Sequence, residues 1–361
     1  MTTPSETPRK GRGALSNPEG RFETRRRENF EDGWGHHGDD ELPPLETTVT
    51  AEPARSIISR NQSPDIPFAQ SINPYRGCEH GCIYCYARPS HAYLNLSPGL
   101  DFETKLFYKQ HAADLLEQEL RKPNYRCQPI TLGANTDPYQ PIERKLKVTR
   151  SLLEVLQRFH HPVSIITKST LITRDLDILA DMAKQDLATV MVSVTTLDDE
   201  LKRSLEPRAP SSWARLRTVH ALTMNGVPTG VLTAPIIPMV NDAEMEKILQ
   251  HAAEAGACCA GYVLLRLPYE LKDLFREWLA AHLPGRAEHV MSLIRQARDG
   301  KDYNSGFGTR MRGTGEYAEL IAQRFALACK RLNLVYARRM RLSNTHFRVP
   351  SVSPQLDLWP S

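Results

Sequence analysis

The sequence contains no long apolar run. Its 361 residues include nothing near the length that a membrane-spanning helix needs, which is roughly 18 or more consecutive apolar residues. A secretory segment is also missing from the N-terminus, and the seven cysteines are an odd number. Both observations disfavour a disulfide framework. We therefore expect a cytoplasmic protein that has no membrane partner and is long enough to bury a sizeable core.

Three of the seven cysteines lie within eight residues, in the run Gly-Cys-Glu-His-Gly-Cys-Ile-Tyr-Cys-Tyr. They are Cys78, Cys82 and Cys85. A C-x3-C-x2-C loop can fold around one face of a cubane, so that three thiolates hold three irons. A fourth protein ligand would close the site, but the next cysteine, Cys127, comes about 40 residues later. This spacing predicts an iron–sulfur cluster whose fourth iron is open to a small molecule that chelates it.

Structural zinc, a disulfide framework and chance spacing are the alternatives. Zinc would need a fourth Cys or His, and its usual sites combine one C-x2–4-C pair with a distant second pair. His80 lies inside the loop between two candidate ligands, which is a poor position for completing a tetrahedron. The iron–sulfur interpretation is favoured, and zinc is the main alternative.

Short apolar, β-rich runs alternate with helical stretches downstream of the cysteines. Such alternation indicates repeated βα units and a parallel sheet with right-handed crossovers. The predicted strands are 129–133, 163–167, 189–195, 230–237 and 261–267, with a sixth just before the cysteines. The predicted helices are 112–120, 151–159, 175–184, 213–224 and 243–255, followed by 269–281, 287–299 and 315–332.

Composition divides the chain into three parts. Residues 1–60 are polar, include an Arg-Arg-Arg run at 25–27, and are expected to be flexible, as a solvated tail or with a phosphate contact. Residues 61–270 carry the cysteines and the βα pattern, and residues 271–361 form a helical, basic extension. This extension has no acidic residue between Glu319 and Asp357, although the whole chain has a net charge of only +4. Its basic residues are Arg324, Lys330, Arg331, Arg338, Arg339, Arg341 and Arg348. They predict a phosphate-binding face or a solvated basic surface.

The cysteine loop, with Tyr84 just before its last cysteine, resembles that of the radical S-adenosylmethionine (radical SAM) enzymes. The resemblance implies a partial (β/α)6 TIM-type barrel and two cofactors, a [4Fe-4S] cluster and SAM. In that superfamily the open iron binds the amino and carboxylate groups of SAM, and one electron cleaves SAM to a 5′-deoxyadenosyl radical. The aromatic residue before the last cysteine packs near the adenine. A reductant such as a flavodoxin or ferredoxin is the implied partner.

Within the superfamily, the order of the motifs is similar to the spore photoproduct lyase group, also described as DNA repair photolyase-like. The run from Gly133 to Glu143 resembles the strand end that contacts the methionyl part of SAM in that group. A lysine at the end of the third strand and a serine on the fourth strand approach the same cofactor, as does a Glu-Pro-Arg turn. The residues that carry over are Gly133, Asn135, Thr136, Asp137, Lys168, Ser193 and Arg208. Their alternatives are an Asn/Asp-Pro turn, a surface lysine, helix capping by Ser211 and a structural ion pair made by Glu206.

The hydrogen-donor cysteine of spore photoproduct lyase has no counterpart at the same position. The matching place on the second strand is Ala134 or Asn135. Cys127 is a candidate donor only if the chain bends back toward the cavity, and a buried structural thiol is the alternative. Cys258, Cys259 and Cys329 are expected to be core residues, so one cluster is expected rather than two.

Three functions are compatible with the sequence. The first is a radical SAM enzyme acting on nucleic acid, which the basic extension and the resemblance favour. The second is a radical SAM enzyme that modifies a peptide or small molecule, with the extension merely solvated. The third is a metal-stabilised binding module without turnover.

Overall fold

The computed structural model describes residues 9–23, 45–337 and 340–351. The strands, in chain order, are β1 (Thr48–Glu52), β2 (Ser59–Arg60), β3 (Gln70–Ile72), β4 (Tyr75–Arg76), β5 (Lys105–Lys109), β6 (Ile130–Leu132), β7 (Val163–Thr167), β8 (Ala188–Ser193), β9 (Thr229–Ile236), β10 (Cys259–Leu264) and β11 (Val335–Tyr336). The helices are α1 (Asp101–Thr104), α2 (Ala112–Leu120), α3 (Glu143–Leu146), α4 (Val148–Arg158), α5 (Leu176–Ala183), α6 (Asp199–Leu205), α7 (Ser212–Met224), α8 (Met245–Glu254), α9 (Leu271–His282), α10 (Ala287–Gln296) and α11 (Gly315–Arg331).

An open, mostly parallel sheet forms the centre of the fold. Its eight strands run in the order β11-β10-β9-β8-β7-β6-β3-β2, and the β2–β3 pair is the antiparallel one. Six strands, β3 and β6 to β10, follow one another in chain order, with helices between them. This arrangement confirms the prediction of a partial (β/α)6 barrel. Among the described residues, β2 and β11 extend its two ends.

Burial explains why these segments form the sheet. Every residue of β8 is buried, as expected for a parallel strand covered by helices on one side and filled by side chains on the other. Helix α4 places Leu152, Val155 and Leu156 in the main core. Ser211 caps α7 by accepting a hydrogen bond from the Ala214 amide at 3.3 Å. Apolar spacing and helix capping, both local features of the sequence, therefore account for the strands and helices that hold the site.

A second, three-stranded sheet was not predicted. Its order is β1-β5-β4, with β1 parallel and β4 antiparallel to the central β5. The β1 and β5 strands are separated by about 50 residues in the chain. β5 (Lys-Leu-Phe-Tyr-Lys) lacks the alternating apolar pattern that marks a strand in sequence. β1 (Thr-Val-Thr-Ala-Glu) alternates, but its apolar residues are only Val49 and Ala51, and the strand is only partly buried.

Part of the polar N-terminal segment is packed against the cysteine loop. Ala14 is fully buried and Leu15 is nearly so. Ala14 belongs to the same apolar cluster as Cys82, Ile83 and Tyr84. The expectation of a flexible segment is therefore corrected for residues 9–23, where small residues allow a close approach that composition does not reveal. The Arg-Arg-Arg run at 25–27 lies outside the described residues.

Two described arginines of the basic C-terminal tract, Arg324 and Arg348, lie in different parts of the fold. On α11, Arg324 forms an ion pair with Glu246 at 2.7 Å. Residues 340–351 run past the segments that precede β7 and β8, where the Ser343 amide donates to Asp186 and the Arg348 amide to Phe159. These are the amino ends of the strands. Arg338 and Arg339 lie outside the described residues. No helix in the described part of the chain is long and apolar enough to cross a membrane.

Candidate functional site

The cysteine loop leaves β4 and turns tightly on itself. The Cys78 amide donates to the Phe102 carbonyl at 2.9 Å, and the Cys85 amide donates to the Cys82 carbonyl at 3.2 Å. Gly77 and Gly81 both have positive φ, +74° and +67°, which favours glycine at these turns. Cys78 and Cys82 are buried and Cys85 is partly exposed.

The three thiols of the loop are protonated when no metal is bound. Burial raises the pKa of Cys78 well above its usual range, raises that of Cys82 to about 12 and also raises that of Cys85. The thiols are therefore neutral unless a metal stabilises the thiolates. Within the described ranges, no three Cys, His, Asp or Glu side chains converge on a single metal ion. A cubane does not need such convergence, because it presents a separate iron to each thiolate.

Asp137 links the loop to the carboxyl ends of β6 and β7. Its carboxylate accepts hydrogen bonds from the Thr167 hydroxyl and the Lys168 amide, each at 2.7 Å. His80 Nδ1, inside the cysteine loop, lies 3.4 Å from Asp137 Oδ2. Burial opposes ionisation, but His80 and these hydrogen bonds lower the pKa of Asp137 to about 2. Asp137 is thus a buried anion that fixes the loop against the sheet.

Glu206 forms a second buried network beside the loop. Its carboxylate accepts hydrogen bonds from Tyr84, from Arg215 and from Thr195, the last at 2.8 Å. Both Glu206 and Arg215 have fully buried side chains. Burial opposes ionisation, yet the charges of Arg215 and Lys168 and the hydrogen bonds lower the pKa of Glu206 to about 2. The network therefore fixes the side chain of Tyr84, which lies between Cys82 and Cys85 in the sequence.

The polar residues predicted on β7 and β8 gather around Tyr84. Lys168 Nζ lies 5.7 Å from the centroid of the Tyr84 ring and 4.0 Å from Glu206 Oε1. Ser193 ends β8 and is buried, and its carbonyl accepts a hydrogen bond from Arg215 at 3.1 Å. Arg208 is about a third exposed and lies 3.3 Å from Glu79 Oε1. Lys168 and Ser193 thus lie at the ends of neighbouring strands, and Glu206 forms the structural ion pair expected for it, with Arg215.

The segment after β6 is held mainly by backbone contacts. Thr136 donates its hydroxyl to the Tyr75 carbonyl at 2.8 Å, and the Asn135 amide donates to Asn73 Oδ1 at 2.9 Å. Gly133 has a φ of +86°, and a Cβ there would lie 2.1 Å from the Ile166 carbonyl oxygen. Close packing against β7 therefore already requires glycine at this position.

Sequence reasoning missed a cationic and aromatic group at the mouth of the barrel. Tyr86 follows the last ligand cysteine, is 43% exposed and donates its hydroxyl to the Ala134 carbonyl. The Arg266 guanidinium, just after β10, lies 5.1 Å from the Tyr86 ring and 6.0 Å from the Tyr303 ring. Its buried Nε has no hydrogen-bond partner among the described residues. The aromatic residue beside Cys85 was the one local signal available.

The remaining cysteines lie away from this site. Cys127 precedes β6, at the opposite end of the strand from Gly133, so the structure does not bring the candidate hydrogen donor to the cavity. Burial raises the pKa of its thiol to about 12. Cys259 and Cys329 are core residues, as predicted, but Cys258 is exposed because it lies just before β10 begins.

Comparison with known proteins identifies the family. The sequence profile of the radical SAM superfamily matches residues 72–252, half of the chain. This chain belongs to the radical SAM superfamily. It is a radical SAM enzyme, and its cofactors are a [4Fe-4S] cluster and SAM. The binding-module hypothesis is therefore set aside.

Other proteins resemble this chain in sequence or in fold. An uncharacterized protein of Mycobacterium tuberculosis is 37% identical over 233 residues, which cover 64% of this chain and 68% of that protein. An uncharacterized protein of Methanocaldococcus jannaschii is 30% identical over 173 residues, covering 48% of this chain and 62% of that protein. A structure of spore photoproduct lyase complexed with dinucleoside spore photoproduct superposes with a TM-score of 0.56. It covers 84% of this chain and 86% of that one at 15% identity, a likeness that shows the fold.

Proposed function

We propose that this radical SAM enzyme abstracts hydrogen from a nucleic-acid substrate bound at the mouth of the barrel. In this proposal Cys78, Cys82 and Cys85 hold the [4Fe-4S] cluster. When bound, the cluster would supply the electron that cleaves SAM to a 5′-deoxyadenosyl radical. The protein's own residues bind, orient and shield the reactants.

The cofactor-binding roles follow from the two buried networks. Tyr84, fixed by Glu206, offers an aromatic face beside the cluster for the adenine. Lys168, with its ammonium group partly exposed, is a suitable partner for the SAM carboxylate. Asn135, Thr136 and Asp137 follow β6 and border the methionyl end, while Ser193 and Arg208 border the ribose side. Gly133 serves by packing, since β7 fills the space beside its Cα.

The observation that carries the nucleic-acid substrate is the group of Tyr86, Arg266 and Tyr303. The Tyr86 ring is exposed and Tyr303 is partly buried, and the nearby Arg266 guanidinium donates to the Tyr303 hydroxyl at 3.2 Å. Aromatic rings beside a guanidinium form a surface on which nucleobases stack regardless of sequence. In the part of the chain that the structure describes, no carboxylate forms an ion pair with Arg266, so its charge is available to an anionic ligand. Ring faces and positive charge together fit a base and its phosphate.

A second group of the same composition lies nearby. The Arg21 guanidinium is 3.9 Å from the Tyr269 ring centroid and 5.4 Å from that of Tyr93. Tyr269 and Tyr93 are 63% and 67% exposed. Arg21 also pairs with Glu270, at 3.1 Å, so this group offers ring faces rather than an unpaired charge. Tyr269 is three residues beyond Arg266, which would allow one strand of nucleic acid to contact both groups. This aromatic surface replaces the basic C-terminal tract as the support for a nucleic-acid substrate.

Binding of a fluorescent single-stranded oligonucleotide to the cluster-loaded enzyme, with SAM present, tests the proposal. We expect salt-dependent binding that Arg266→Ala weakens by about 5-fold, because the variant loses a positive charge near the phosphates and its cation–π contacts, the latter worth about 0.5–2 kcal/mol. Arg348→Ala is the matched control, since it removes a basic residue at the opposite end of the strands. Equal losses in both variants would refute a binding surface at the mouth.

The alternative is a peptide or small-molecule substrate. The ion pair between Arg324 and Glu246 favours it, because this part of the basic tract is already neutralised. Absence of salt-dependent oligonucleotide binding, together with 5′-deoxyadenosine production from SAM, would support the alternative.

A further inference from the structure

We propose that the N-terminal strap, residues 9–23, is a working part of the cluster site, and that Glu103 is the positioning residue that ties it to the cysteine loop. The strap lies outside the residues matched by the superfamily profile, which begins at residue 72. Its role is to hold the loop that carries Cys82 and to cover it from solvent.

Glu103 on α1 connects the strap to the loop through a fully buried carboxylate. On the strap side, the Gly13 amide donates to Oε2 at 3.0 Å and the Ala14 amide donates to Oε1 at 2.9 Å. On the loop side, Arg88 donates to Oε1 at 2.5 Å. One buried anion therefore satisfies two strap amides and one buried guanidinium.

Arg88 carries the restraint to the backbone between the ligand cysteines. It is fully buried, and it donates to the Cys82 carbonyl at 2.8 Å and to the Gly81 carbonyl at 3.0 Å. Its remaining donors reach the Pro98 and Gly99 carbonyls, at 3.1 and 2.9 Å. The position of the Cys82 thiol thus depends on a guanidinium whose counter-ion also holds the strap.

The strap and the loop also pack closely against each other, with glycine at the points of contact. A Cβ on Gly13 would lie 1.9 Å from the Gly81 carbonyl oxygen, and one on Gly81 would lie 2.8 Å from Glu103 Oε2. The strap continues over the site by further contacts, since Asn17 donates to Asp101 at 3.0 Å. Any side chain at residue 13 must lift the strap from the loop.

Second-sphere contacts of this kind control metal retention. Removing a partner that orients a metal ligand commonly weakens metal binding by about 10- to 100-fold. In Glu103→Gln, the amide keeps one acceptor oxygen but faces its NH2 group toward donors, so at least one strap amide or Arg88 loses its partner. We therefore expect the variant to lose its cluster faster than the unaltered protein. The barrel itself should be little affected, because these contacts join the strap, α1 and the cysteine loop rather than the six strands.

The test uses full-length protein reconstituted without oxygen. Iron and sulfide per chain are measured, and cluster absorbance is followed after addition of a chelator or air. We expect Glu103→Gln to speed the loss by about 10- to 100-fold, and Gly13→Ala to change it in the same direction. Gly285→Ala and Glu117→Gln are matched controls, because Gly285 has open space around its Cα and Glu117 forms its ion pairs at the surface.

Thermal unfolding of the cluster-free proteins separates positioning from global stability. The proposal requires Gly13→Ala to lose its cluster faster while the melting temperature of the cluster-free barrel stays near that of the unaltered protein. The proposal would be overturned if the cluster of Gly13→Ala lasts as long as that of the controls. It would also be overturned if faster cluster loss comes with an equally marked fall in the melting temperature of the cluster-free protein. If Glu103→Gln does not fold, Gly13→Ala alone decides. These measurements need no substrate, so they are independent of the nucleic-acid proposal.

Discussion

Replacing Glu206 by Gln perturbs the centre of the site and yields a measurable loss of stability. The change keeps the shape of the side chain but leaves Arg215, which is fully buried, without a counter-ion. Removing one partner of a buried ion pair costs about 3–5 kcal/mol. The same pairing lowers the pKa of Glu206 from 4.5 to about 2, which corresponds to about 3 kcal/mol of folding free energy. Both routes give a loss of the same size.

The loss should also depend on pH in a defined direction. Because folding lowers the pKa of Glu206, its ionisation stabilises the native state above pH 4.5 and ceases to do so as the pH falls toward 2. The difference in unfolding free energy between the original protein and Glu206→Gln should therefore be largest near neutral pH and shrink below pH 4.5. Urea unfolding of the cluster-free proteins under reducing conditions, followed by circular dichroism, measures this difference.

Glu154→Gln provides the control for charge removal. Glu154 pairs with Arg150, but its side chain is 52% exposed, so the expected loss is only about 0–1 kcal/mol. If Glu206→Gln lowers the unfolding free energy at neutral pH no more than this control does, Glu206 does not stabilise the fold through its pair with Arg215. A loss that does not change between neutral and acidic pH would refute the reasoning as well.

Two further variants test individual residues. Lys168→Ala should weaken SAM binding, measured by equilibrium dialysis, and leave iron content unchanged, because its ammonium group lies near the Tyr84 ring and Glu206 and is not itself a proposed iron ligand; loss of iron would instead indicate a structural role. Cys127→Ser should leave 5′-deoxyadenosine formation and substrate turnover unaltered, because Cys127 precedes β6 at the end away from the loop; loss of turnover with intact SAM cleavage would restore it as a hydrogen donor.

The elements of the barrel were predictable because their signals are local. The predicted helix 112–120 and strand 163–167 coincide with α2 and β7, where apolar spacing and strand length agree. Most other core elements differ by a few residues at their ends, where spacing says little. The sequence placed Asp137 and Lys168 after predicted strands, and the structure brings them into hydrogen-bond contact, because parallel strands bring their carboxyl ends together. Their roles toward SAM stay predictions.

The contacts that hold the site were not predictable in the same way. Glu206 and Tyr84 are 122 residues apart in the chain, and Gly13 and Glu103 are 90 apart. No periodic pattern pairs such residues, because the contact exists only after the barrel closes. The position of the basic C-terminal tract could not be predicted for the same reason: composition reports its charge, but only the fold places residues 340–351 beside the amino ends of the strands.

The three cysteines of the loop are proposed to hold the cluster on which SAM is cleaved. Anaerobically reconstituted protein, given SAM and dithionite, tests this proposal when 5′-deoxyadenosine and methionine are assayed together with the EPR signal of the reduced cluster. We expect both products and a reduced-cluster signal, and we expect Cys82→Ala to abolish them along with bound iron. Cleavage that persists unchanged in Cys82→Ala, or a protein that binds zinc and yields neither product, would contradict the account.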